Sequence, residues 1–194
     1  MFSLTIKDIK PFSTCKKGPE ILKWFESRFD DEQELPLLLV LDTFGETHAV
    51  FCLRAVKGGP EFALQYAIKC VENIKENFEI EYPGNTLLAE CIETASNMKG
   101  NSAKEAGHNL EQFCRLKSKG TNATKAGFAA SKLSYAAYTI SQPHASVDFS
   151  LGAIEDSRDA AQNPCKEDEW QTKLFRKMLL EHGECKPKDT NQEN

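Results

Sequence analysis

Apolar residues along this chain recur at intervals of three and four far more often than at intervals of two, the spacing of helices rather than strands. The longest such run begins near Glu61 and passes through Phe62, Ala63, Tyr66, Ala67, Cys70, Val71, Ile74 and Phe78, one face of an amphipathic helix. Upstream, GPEILKWFESRF at 18–29 sets Ile21, Leu22, Phe25 and Phe29 at helical spacing behind Pro19, a residue suited to a first helical turn. The block LPLLLVL at 35–41 is continuous and fits a buried strand as well as a helix. A helix is preferred, with Pro36 in its first turn and Gly45 at its end, because no second strand candidate exists to pair with it. ETHAVFCLRAV follows at 46–56, and Gly58-Gly59-Pro60 breaks the pattern.

Tyr82-Pro83-Gly84-Asn85 interrupts the next two helical runs. A residue before proline resists helical geometry and Gly84 permits a sharp turn, so this stretch predicts a corner, with Asn85 or Thr86 capping the helix that carries Leu88, Cys91 and Ala95. Another helix is expected from about Gly100 to Lys117. TKAGFAASKLSYAAYTIS at 124–141 is apolar on two sides: Ala126, Ala129, Ala130, Leu133, Ala136, Ala137 and Ile140 on one, Phe128, Tyr135 and Tyr138 on another. A helix of that kind is usually central, and its alanines let neighbours approach closely. Pro143 opens a further helix and Asn163-Pro164 closes it. The last, at 165–183, should bury Trp170, Leu174, Phe175, Met178 and Leu179 and stop at Gly183. Trp24 and Trp170 are both expected as core anchors.

The pattern therefore predicts an all-α fold of about nine helices, a multi-helix bundle or stacked helical hairpins. Its expected parts are an N-terminal helical module at 1–57, a helical domain at 58–183 and a polar tail at 184–194. Composition narrows the class. The net charge of −5 argues against a nucleic-acid backbone as partner and is compatible with a basic protein. Neither a signal-peptide core nor a membrane-length apolar run is found, so a cytoplasmic protein without membrane association is expected. The seven cysteines include no CxxC pair, which points to reduced core thiols rather than a zinc site or disulfide framework. Cys15, in the loop TCKKG beside two lysines, is the one thiol placed for reactivity.

Beyond Cys15, the candidate chemistry lies in one His–carboxylate stripe and a few acidic clusters. His144, Asp148, Glu155 and Asp159 fall within about one-sixth of a turn on one helix face. Such a stripe could hold a metal or act in acid–base chemistry, but a metal site in a bundle normally draws ligands from several helices, and one stripe supplies one wall. The plain reading is a solvated helix face that Arg158 partly neutralises; if the stripe functions, docking of a basic partner surface is the better reading than chemistry. Glu79 and Glu81, beside the YPG corner, are a second acidic candidate. Glu167, Asp168 and Glu169 lie in a first helical turn, where carboxylates favour the helix dipole. Nucleophile-elbow, phosphate-loop and dinucleotide motifs are missing, and no enzyme activity, catalytic residue, cofactor or metal is expected.

From FALQYAIKCVENI through EYPG, LLAECIETA, AGFAASKLSYAAY and EDEWQTKLF, the segment from Phe62 to about Gly183 resembles the immunity-protein-five-like family of bacterial polymorphic toxin systems. CKKGPEILKWFESRF and LLLVLDTFGETHAVFCLRAV are similar to an N-terminal module often found before that domain. The resemblance implies a stoichiometric inhibitor that binds a cognate toxin, with no catalytic residues of its own. Where the family tends to place Asp and Arg-Pro after the YPG turn, this chain has Asn85, Thr86 and Leu87, so no binding residue is carried over from that motif. Two other functions fit the residues: a helical scaffold or accessory protein of phage or bacterial origin, and a metal-dependent helical enzyme using the 144–159 stripe.

Overall fold

The computed structural model describes residues 2–15, 17–117 and 120–184, and the expected polar tail beyond Glu184, with Cys185, lies outside them. The described chain is all-α, with ten α-helices packed on one another and a single antiparallel pair of two-residue strands. None of these helices is long and apolar enough to cross a membrane.

The N-terminal region is a string of short helices: α1 (Ile6–Ile9), α2 (Gly18–Glu26), α3 (Leu37–Phe44) and α4 (Glu46–Cys52), with 3₁₀ turns at Lys10–Phe12 and Leu53–Ala55. A helix as short as α1 persists because its first turn is capped reciprocally. The Thr5 hydroxyl accepts from the Asp8 N–H at 3.3 Å, and the Asp8 carboxylate accepts from the Thr5 N–H at 2.7 Å. Trp24 packs against Phe25, Phe29 and Phe44, tying α2 to α3.

The LPLLLVL block forms helix from Leu37, as expected, but its first two residues do find a strand partner. Ser3 pairs with Pro36 and Leu4 with Leu35 (β1, Ser3–Leu4; β2, Leu35–Pro36), and the Leu37 N–H donates to the Phe2 carbonyl at 3.0 Å. Two residues are too few to show a period of two, and the partners meet only because α1 and α2 fold the chain back between them.

The Gly58-Gly59 break serves two needs at once. Gly58 takes a left-handed φ of 76°, and a Cβ on Gly59 would collide with the Leu53 carbonyl oxygen. Beyond it come α5 (Gly59–Glu81), α6 (Leu87–Ser96), α7 (Gly100–Leu116), α8 (Asn122–Tyr138), α9 (Pro143–Ala160) and α10 (Pro164–Glu184). The YPGN stretch is a corner. The Tyr82 N–H ends α5 on the Phe78 carbonyl, Gly84 has φ 79°, and Asn85 Oδ1 accepts from the Leu87 N–H. Tyr82 also packs its ring on Phe78 and Phe113, fastening the corner to α7.

Helix α8 is central, touching α5, α6, α7 and α9. The Thr121 hydroxyl caps it by accepting from the Thr124 N–H at 3.1 Å. Its alanine face is buried, and small residues set the approach of its neighbours. A Cβ on Gly107 of α7 would lie 2.9 Å from Ser134 Cβ, and one on Gly127 would overlap Cys114 Sγ. Ser131 Oγ donates to the Gly107 carbonyl at 2.9 Å and Ser146 Oγ to the Ala136 carbonyl at 3.0 Å, so the close helices are also hydrogen-bonded. One buried apolar cluster runs from Phe2 to Leu179 and includes side chains on both sides of Gly58.

Helix α10 departs from its expected face. Gln171, Phe175, Met178 and Leu179 are buried, whereas Trp170 is 36% exposed. The inward face begins with Glu167 and Gln171, and Trp170 precedes Gln171 by one residue, about 100° around the helix. Gly183 is the last residue but one of α10 as described.

Candidate functional site

Helix α9 turns Ser146, Val147, Ser150, Leu151, Ile154 and Ser157 into the core, which leaves His144, Asp148, Glu155 and Asp159 facing outward. Three of these four meet the N-terminal region. His144 lies edge-on to Phe12, with ring centres 4.7 Å apart. Asp148 Oδ1 accepts from Arg54 Nη2 at 2.6 Å, and Lys17 Nζ stands 3.5 Å from Glu155 Oε1. Asp159 is exposed, and its carboxylate has no ion-pair partner among the described residues, although its backbone carbonyl accepts from Lys125 Nζ at 3.2 Å. The carboxylates stay largely in solvent: the Asp148 side chain is 64% exposed and that of Glu155 54%.

Arg54 is the member that the sequence pattern did not single out. Its side chain is only 2% exposed. Nε donates to the Phe51 carbonyl at 2.9 Å, and the guanidinium lies over the Phe51 ring at 4.0 Å. A lone arginine inside the apolar run VFCLRAV was the available signal, since a buried cation requires a partner. Arg54, Asp148, Lys17 and Glu155 frame a cleft of about 420 Å³ with Phe51 and Leu151, and Cys15 also lines it. Two sequence candidates from distant positions, Cys15 and the stripe, thus share one cleft.

Glu79 and Glu81 lie on a different element, at the C-terminal end of α5. Glu79 pairs with Lys75 at 3.2 Å, one turn earlier, and Glu81 accepts from Thr121 Oγ1 at 3.3 Å. The described residues hold no group of three or more His, Cys, Asp or Glu side chains that could bind a metal ion. Cys52, Cys70, Cys91 and Cys114 are buried, and burial pushes the Cys52 and Cys91 thiols up to about 12.

Arg158 points away from the stripe, into a buried polar network. Its Nη2 donates to Glu46 Oε2 and to Gln171 Oε1, both at 3.0 Å. Its Nε sits 2.9 Å from Asp168 Oδ1, an off-axis ion pair rather than a hydrogen bond. Gln171 Nε2 donates to Ser157 Oγ at 2.9 Å and to Glu167 Oε1 at 3.1 Å, Asn73 Nδ2 donates to Glu167 Oε2 at 2.9 Å, and the Tyr66 hydroxyl donates to the Gln171 carbonyl at 2.9 Å. Glu167 is therefore a buried hydrogen-bond acceptor, beyond any dipole role. Burial raises the Glu46 carboxyl above its usual range, against the opposing pull of Arg158, and Glu46 Oε1 has no hydrogen-bond partner among the described residues. The network links α4, α5, α9 and α10, fixing the N-terminal helices on the same body that carries the stripe.

No family model, curated protein or solved structure matches this chain.

Proposed function

We propose that this chain is an immunity protein, which binds a cognate bacterial toxin in the cytoplasm and neutralises it by stoichiometric contact. The reading rests on the resemblance of its helical segments to that family, and one geometric observation supports it. Asp148 and Glu155 are held from beneath by Arg54 and Lys17, yet more than half of each side chain faces solvent. Acidic side chains fixed before binding lose less rotational freedom on docking. Asp159 continues the same face with a carboxylate that makes no ion pair among the described residues, and that charge favours a basic partner. Inhibition of this kind requires a rigid complementary surface and no chemistry from the inhibitor.

The test is to tag the chain at its C-terminus, express it from its own locus and identify what co-purifies. A stoichiometric basic toxin is expected, and the chain should protect cells against it. Charge reversal at Glu155→Lys with Asp159→Lys should weaken the complex by about tenfold or more, because two rim carboxylates become repulsive. A partner bound equally well by the double variant would move the interface elsewhere. No co-purifying toxin and no protection would refute the reading and leave the helical scaffold as its replacement.

A further inference from the structure

The turn between α9 and α10 and the middle of α5 enclose a second groove of about 420 Å³, lined by none of the stripe residues. Four of its ten lining residues are amides, Asn73 and Asn77 from α5 and Gln162 and Asn163 from the turn, and Glu76 and Lys166 add one charge of each sign. Each amide is positioned yet incompletely used. Asn77 Nδ2 donates to the Ala160 carbonyl at 3.0 Å, leaving Oδ1 without a partner among the described residues. Asn73 Nδ2 is held by Glu167, again leaving Oδ1. Asn163 Oδ1 caps α10 by accepting from the Lys166 N–H at 3.1 Å, leaving Nδ2. The exposed Gln162 makes no side-chain hydrogen bond among the described residues.

Two further features distinguish this groove from an ordinary polar surface. Glu167, only 6% exposed, contributes to its wall, and each of its carboxylate oxygens accepts a single hydrogen bond where two lone pairs are available. Trp170 forms the opposite kind of wall: a flat apolar ring, partly in solvent, on which no aromatic ring or cation stacks among the described residues. Free amide donors and acceptors, a fixed carboxylate acceptor and an indole face together match a ligand that is neutral, rich in hydroxyls and apolar on one side. The volume lies in the range of small-molecule sites.

We propose that this groove binds a neutral sugar, with hydroxyls on Asn73, Asn77, Gln162, Asn163 and Glu167 and a C–H face on Trp170. The inference is independent of the toxin-binding reading. A planar nucleoside is the main competitor for an indole and amides, but sugar hydroxyls, each of which both donates and accepts, use the mixed amide atoms more fully.

The test titrates the native chain with glucose, galactose, N-acetylglucosamine and its β-linked dimer, with adenosine as the stacking control, by calorimetry and saturation-transfer NMR. Saturable binding of at least one sugar is expected, weakened about tenfold or more by Trp170→Ala and, separately, by Gln162→Ala. Gln162 is exposed and makes no internal bond, so its variant should melt with the native chain and remain informative if Trp170→Ala does not fold. No saturable sugar binding, binding of adenosine alone, or sugar binding unchanged in the Gln162→Ala chain would each overturn the proposal.

Discussion

The Arg54–Asp148 pair yields an asymmetric prediction because its two members are buried so differently. Removing Asp148 leaves a guanidinium whose side chain is 2% exposed without its charge partner, whereas removing Arg54 leaves a carboxylate already 64% in water. A stranded buried donor costs about 1–3 kcal/mol, and since Arg54 also lines an open cleft that water can enter, the lower half of that range applies to Asp148→Ala. Arg54→Met should cost less than about 1 kcal/mol. The methionine fills a similar space beside Phe51 and Leu151, and the Phe51 carbonyl keeps the backbone N–H of Leu53 as a donor. The double variant should return to within about 1 kcal/mol of the native chain, since neither charge is left stranded. Urea unfolding followed by circular dichroism measures all three midpoints. If Arg54→Met proves as destabilising as Asp148→Ala, or if the double variant is the worst of the three, the cation is not the member that depends on its partner, and the account of the docking face as a preorganised carboxylate fails with it.

Three other outcomes follow from the packing and the buried network. Gly127→Ala gains up to about 1 kcal/mol in helix propensity but puts a methyl into Cys114 Sγ, so a net loss of about 1–2 kcal/mol is expected, relieved when Cys114→Ala is added; an unchanged urea midpoint would contradict the close α7–α8 approach. Ala130→Leu or Ala137→Leu should lose about 1–3 kcal/mol by overpacking the central helix, read in the same assay. Glu46 is held above the ordinary glutamate value of 4.5, so its contribution is fully present below that pH and is lost as pH rises through the higher folded value; Glu46→Gln should therefore gain stability relative to the native chain as pH increases, and a difference independent of pH would show that Glu46 ionises normally.

Much of the helical architecture was legible in the chain because it depends on local periodicity. The α5 face, the YPG corner, the central alanine helix and the helix opened by Pro143 all follow from spacing, turn residues and caps within a few positions of one another. The stripe on α9 was legible for the same reason, since four residues on one helix share a face whatever surrounds them. What lies opposite that face was not. Arg54 and Lys17 come to the stripe from the N-terminal region, and only the packing of α4 and its following turn on α9 decides that Asp148 has a buried cation beneath it.

The same limit explains the departures. Ser3–Leu4 meets Leu35–Pro36 across a long separation, and neither pair carries a strand pattern of its own. Trp170 reads as core because tryptophan usually is, but the phase of α10 is set by Glu167 and Gln171, buried polar residues whose hydrogen-bond partners stand on α5 and α9. By itself the sequence determined where helices begin, end and turn their apolar faces, because those choices are settled by neighbours within a turn or two. Tertiary structure alone decided which polar side chains are buried and paired, because a charge can leave water only where another part of the chain supplies its partner.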